Sequence, residues 1–318
     1  MTFDPRWLNQ LPLSSLKGGD INDVYSLTGS LGLDVGEWEA SGSQTIASGG
    51  VLGLDTTPLR SGNIFVAYEL GAGYYAEVRT ALGASSISPV AFGTGGGAGD
   101  LIRVATLSNG NVVVVYVDNT STKLAYIIYD ERLNVVTPAT LITGTTGFIQ
   151  GKVTPLADGN FVVAYTDAAT KAAFQIFDID GDVIKGETII TTSLYGRVEV
   201  VGLKNGNFMI GLSQATTLYF AIYDRQGVRV LAPTSFTTLR TFIRKPLALL
   251  PNGQVAIGFT TTATGRVGYG LVDQDGNIVS AAADKSTATL LTSGGLCALP
   301  NNSVAMTYGK ATAIYFYA

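Results

Sequence analysis

Histidine is absent from the 318-residue chain, and cysteine occurs once, at Cys297. The first absence excludes Ser-His-Asp and Cys-His catalytic sets and every His-ligated metal centre. The second excludes an intrachain disulfide and a cysteine-cluster metal site. Charge is scarce: Asp, Glu, Lys and Arg make up 14% of the chain, against about 25% in an ordinary soluble domain. The 20 basic and 24 acidic side chains leave a net charge of −4, which argues against a nucleic-acid partner. The longest apolar runs, such as residues 112–117, are of strand length. They fall far short of the roughly 18 residues that cross a bilayer as a helix, so no membrane insertion is expected. Residues 1–10 do not follow the pattern of a secretory signal. No segment carries a long 3.6-residue apolar period, so helix is expected to be minimal.

What the chain has in excess is glycine, 39 residues, and a repeat. Its clearest copies are Ser61-Gly62-Asn63-Ile64-Phe65-Val66-Ala67-Tyr68, Asn109-Gly110-Asn111-Val112-Val113-Val114-Val115-Tyr116 and Asp158-Gly159-Asn160-Phe161-Val162-Val163-Ala164-Tyr165. Weaker copies stand at Asn205-Gly206, Asn252-Gly253 and Asn301-Asn302, and successive copies are 48, 49, 47, 47 and 49 residues apart. Asn-Gly between apolar runs marks a hairpin, expected here as a type I′ turn with positive φ at both central residues. In the third copy, strands are expected at 152–156, 161–166, 173–177 and 183–190. A second turn, Asp178-Ile179-Asp180-Gly181, separates the last two. Four antiparallel strands in one such period make a propeller blade.

The expected fold is therefore all-β: a six-bladed β-propeller of four-stranded antiparallel blades spanning residues 32–318. The sixth copy supplies three strands, at 296–299, 304–308 and 313–317, and then the sequence stops. A raw strand edge is a hazard, so a strand within 32–48 is expected to close the ring in a 3+1 arrangement. Residues 1–31 form an N-terminal arm. Asp4-Pro5 reads as a helix start, and Trp7, Leu8 and Leu11 share one face as an assembly contact.

In a propeller, a ligand site is expected where the loops between second and third strands meet the inter-blade loops. Eight residues after the repeat glycine stand Asp118 and Asp167, in neighbouring copies, a carboxylate pair of the kind glycosidases use. Nine before it stand Arg197 and Arg244, near Tyr195 and Arg240, suited to an anionic sugar or a partner's carboxylates. Tyr74 and Tyr75, expected in a Gly-rich loop, are candidates for stacking on a sugar ring. Asp178-Ile179-Asp180-Gly181 and Asp273-Gln274-Asp275-Gly276 look like the start of a calcium loop. They lack its length and closing Glu, so they read as turns with Asp capping backbone N–H groups. No metal or cofactor is expected.

The stretch Leu156 through Tyr165, with Phe174-Gln175-Ile176-Phe177 and the Asp-Ile-Asp-Gly-Asp turn after it, resembles a repeat of large secreted bacterial adhesin-type proteins. Similar propellers occur in bacteriophage tail and head-associated proteins. The resemblance implies a blade, not an activity. With histidine absent, it leads to the expectation of a non-enzymatic virion component: a bacteriophage tail, fibre or capsid-surface protein docked through its arm. Its expected partners are other virion structural proteins, a host cell-surface glycan or protein, and further copies of itself. The alternatives are an adhesin or lectin-like propeller, and a polysaccharide-degrading glycosidase working through Asp118 and Asp167.

Overall fold

The computed structural model describes residues 51–95, 102–145, 150–166, 171–192, 196–285, 295–310 and 313–317. These residues form strands and turns only, in six separate antiparallel sheets. The first sheet holds β1 (Val51–Pro58), β2 (Ile64–Leu70), β3 (Gly73–Arg79) and β4 (Ser85–Thr94). The second holds β5 (Arg103–Thr106), β6 (Val112–Asp118), β7 (Lys123–Tyr129) and β8 (Val135–Leu141). The third holds β9 (Gln150–Pro155), β10 (Phe161–Thr166), β11 (Ala172–Phe177) and β12 (Val183–Thr191). In the fourth are β13 (Arg197–Gly202), β14 (Phe208–Gln214), β15 (Thr217–Tyr223) and β16 (Arg229–Thr237). In the fifth are β17 (Arg240–Leu249), β18 (Val255–Thr261), β19 (Val267–Val272) and β20 (Ile278–Asp284). The sixth has three described strands, β21 (Leu296–Ala298), β22 (Val304–Lys310) and β23 (Ala313–Tyr317). The repeat therefore is one four-stranded meander, with strand ends within a residue or two of those expected for the third copy.

The core lies in the seams between consecutive sheets. On β6, Val113, Val115 and Val117 pack with Phe161, Val163 and Tyr165 of the third sheet, while Val112, Val114 and Tyr116 face the first sheet. Both faces of a middle strand are buried, which is why residues 112–117 read as an unbroken apolar run rather than as an alternation. Aromatic pairs recur along the seams. Phe161 stacks on Phe177 at 5.2 Å, and Phe208 on Tyr223 at 5.7 Å. Burial pushes the phenols of Tyr116 and Tyr129 up to about 12, so both stay neutral in the core.

The repeat turn differs from the type I′ expectation. Gly110 N donates to the Leu107 carbonyl, and Leu107 N to that of Asn111. Among these turn residues only Gly110 has positive φ, at 94°. This is a type I turn followed by a left-handed residue, a three-residue hairpin loop. Asn109 instead uses its side chain, Oδ1 accepting from Asn111 N at 2.9 Å. The same backbone bonding recurs in every sheet, with Asn302 at φ 63° where the other copies have glycine.

The second turns behave as expected of Asp caps. Asp178 Oδ1 accepts from Asp180 N and Asp182 N, and Asp273 Oδ1 from Asp275 N and Asn277 N. Gly181 has φ +98°, and a Cβ there would sit 2.8 Å from the Tyr126 ring. Tyr126 in turn donates its hydroxyl to the Gly181 carbonyl at 2.6 Å, tying the second sheet to the third.

Candidate functional site

The first strands of the sheets lie side by side, and their hydrogen-bond register aligns four charged residues. Asp55 of β1 stands opposite Ala67, Arg103 of β5 opposite Val115, Lys152 of β9 opposite Ala164, and Glu199 of β13 opposite Gly211. Each lies seven residues before its repeat glycine. All four are buried, from 3% exposed for Asp55 to 8% for Arg103. In β17 the equivalent place, opposite Gly258, falls within an irregularity. Phe242 pairs with Phe259 and Leu247 with Ile257, so residues 243–246 fill the space of one. This bulge carries Lys245, whose Nζ donates to Asp55 Oδ1 at 2.5 Å. First strands of the fifth and first sheets are thereby linked past the sixth.

The five side chains form one electrostatic set. Asp55 Oδ2 accepts from Val104 N at 3.0 Å, and Lys152 Nζ lies 2.9 Å from Glu199 Oε1. Arg103 donates to the Ile102 carbonyl at 2.5 Å, and its charge acts on both carboxylates. Burial raises the Asp55 carboxyl, but Lys245, Arg103 and the hydrogen bonds outweigh it and hold the group below its ordinary value. At Glu199 burial wins over Lys152 and Arg103 and pushes the carboxyl up. Two carboxylates driven in opposite directions, with three cations among them, are suited to holding an anion or to proton exchange at Glu199.

The site lies at mid-length of the sheets, because Ala67, Val115, Ala164 and Gly211 are each the fourth residue of their second strand, while Arg197, opposite Ser213, lies nearer the end that bears the β6–β7 loop. At that end Asp118 Oδ2 accepts from Ser121 N at 2.9 Å and Ser121 Oγ at 2.6 Å, so it shapes the loop. Asp167, its expected partner, and Tyr195 lie outside the described residues. So do Trp7, Leu8 and Leu11, the arm at 1–31 and the closure segment at 32–48.

The remaining candidates are dispersed. Tyr74 is not a loop residue: the β2–β3 turn ends at Gly73, which pairs with Leu70, so Tyr74 is already on β3. Alternation turns it into the seam, fully buried, edge-on to Tyr116 at 5.4 Å and stacked on Phe92 at 5.8 Å. Tyr75, on the other face, is half-buried and stacks on Tyr68 at 5.7 Å. Arg197 opens β13 opposite Ser213, half-buried, and its charge reaches Glu199. Arg244 is not its structural equivalent, because the three additional residues of the β17 bulge shift the register. Arg240 lies 3.5 Å from Asp284 Oδ1 and over the Phe259 ring at 4.6 Å. The central charged set was missed by the sequence reading. Its signal is present as Asp55, Arg103, Lys152 and Glu199, one charged residue at one fixed offset in each of the first four copies, with Pro246 and Gly295 in the last two.

Sheets packed in succession, with their first strands gathered at a charged centre, define a β-propeller. No family model matches the chain, and no curated protein matches it. Solved structures similar to it include the BP39L lectin of Burkholderia pseudomallei, 12% identical, with a TM-score of 0.66 over 89% of this chain and 88% of that one. A polysaccharide lyase, an ulvan lyase bound to a GlcA(1-4)Rha3S saccharide, is 9% identical, with a TM-score of 0.58 over 81% and 78%. The β-propeller domain of the Trilobed protease from Pyrococcus furiosus is 8% identical, with a TM-score of 0.53 over 82% and 81%. These identities establish the fold and no more. They do correct one expectation. An enzyme, the lyase, shares this fold, so the exclusion of catalysis does not stand. Lacking histidine removes one kind of acid–base group, whereas Asp, Glu, Lys and Tyr remain.

Proposed function

We propose that the chain is a six-bladed propeller, its sixth blade completed by a strand from residues 32–48, that recognises a saccharide at the loop-bearing end of its charged centre. The observation that carries this reading is the convergence of Asp55, Arg103, Lys152, Glu199 and Lys245 from five first strands. A fold needs no such set for stability, because burying ion pairs rarely gains free energy over apolar packing. Also in its support, two of the similar propellers are named for saccharides, a lectin and a polysaccharide lyase.

The setting we propose is a bacteriophage particle, with residues 1–31 as the docking arm and a host surface glycan as the ligand. This part rests on the sequence resemblance alone. A glycan array probed with the full chain, followed by calorimetry on the hits, tests recognition: saturable binding is expected, and none across the array refutes it. Mass spectrometry of purified particles tests the setting, and particles lacking the chain refute that.

A further inference from the structure

Charge is unevenly placed on this molecule. The tight turns at the far end of the sheets, around the repeat glycines and between third and fourth strands, carry nine carboxylates and four cations. Where the first strands meet, from mid-length toward the loop-bearing end at Arg197, the balance is the opposite: Arg103, Lys152, Arg197 and Lys245 against Asp55 and Glu199. A cationic centre on a chain of net charge −4 draws anions to one end and repels them from the other. Within the set, Lys245 is the member most open to solvent. Its side chain is 32% exposed, against 5% for Asp55 beneath it. Its ammonium has three donors and gives one to Asp55. Among the described first strands, β17 is the one with an insertion of three residues, and it brings a cation to the centre where regular pairing would leave one residue opposite Gly258.

We propose that the charged centre receives an anionic group carried on a saccharide, a carboxylate or a sulfate ester, through Lys245 and Arg197. Asp55 is the positioning residue that holds Lys245 over the centre, Arg103 favours the charged form of Asp55, and Lys152 keeps Glu199 from repelling the ligand. This inference rests on the saccharide-binding reading above and names its ligand class.

The test is isothermal calorimetry on the full chain with four probes: an oligogalacturonate, its neutral methyl ester, a sulfated oligosaccharide and inorganic sulfate. An acidic oligosaccharide is expected to bind at least about tenfold more tightly than the ester, the size of one charge-assisted contact. Two variants locate the site. Asp55→Asn with Lys245→Met removes a pair together and should weaken acidic-saccharide binding by about tenfold or more, with melting near that of the parent. Arg197→Gln, at a half-buried strand start, gives a second measure should the double variant fail to fold. Equal binding of acid and ester, parent-like binding by the folded variants, or inorganic sulfate binding as well as the oligosaccharides would overturn the proposal and leave saccharide recognition standing. Binding of no saccharide, charged or neutral, removes the broader reading with it.

Discussion

Asp55 shows how one residue joins the fold to the site. It is 3% exposed and takes hydrogen bonds from Lys245 and Val104, on two other sheets. Removing one partner of a buried pair leaves the other charge uncompensated, so Asp55→Asn should cost about 3 kcal/mol at pH 7 by urea denaturation. The pH dependence follows from its lowered carboxyl. Such a group stabilises the fold above its unfolded value and loses that contribution as pH falls through its folded one. The gap between parent and variant should therefore be full at neutral pH and begin to shrink only below about pH 4, the unfolded value. A gap undiminished at pH 3 would show that packing, not charge, is lost. Glu199 has the reverse sign: its raised carboxyl opposes folding at neutral pH and is relieved on acidification. Neither role is legible in the sequence, where both are single charges within short strands. Tyr74 and Tyr75 failed for a related reason, since a turn one residue shorter decides which ring enters the seam.

At the level of elements, the outermost strands repeat a device of their own. In each of the five four-stranded sheets, the pairing of third and fourth strands slips by one residue near the middle and again toward the turn that joins them. The middle slip contains Pro89 in β4, Pro138 in β8 and Pro233 in β16. These strands are solvent-facing edges with exposed apolar side chains, including Val135, Val136, Val183, Ile184, Ile278 and Val279. Proline and a bulge both block the addition of another strand. Replacing all three prolines by threonine should make the chain self-associate with rising concentration, read by light scattering against the parent. Unchanged scattering would show that the bulges alone protect the edge. The prolines recur at nearly constant offsets and were legible as a pattern. Their purpose was not, because it depends on which strand lies outermost.

Across the whole molecule, the six sheets are not equal. The first strand of the sixth, β21, is three residues long, and its Cys297 is half-buried. Burial pushes that thiol up to about 11, so only about one molecule in a thousand is thiolate at pH 8 and labelling should be slow in the native state. A short inner strand has few ladder bonds to lose. In a urea series, Cys297 labelling is therefore expected to rise before circular dichroism reports loss of the β signal. Coincident curves would mean that the sixth sheet unfolds with the rest.

The amino-acid sequence by itself determined the repeat, the strand limits and the residues at each turn. These follow from interactions spanning a few positions: side-chain alternation, Asx hydrogen bonds and the left-handed backbone that Gly110 and its equivalents supply. Tertiary structure alone decided the charged centre, the seam burial of Tyr74 and the reach of Lys245 to Asp55, 190 residues apart. Those outcomes depend on first strands from different copies meeting at one place, and a periodic sequence fixes their spacing along the chain but not the side chains they bring together.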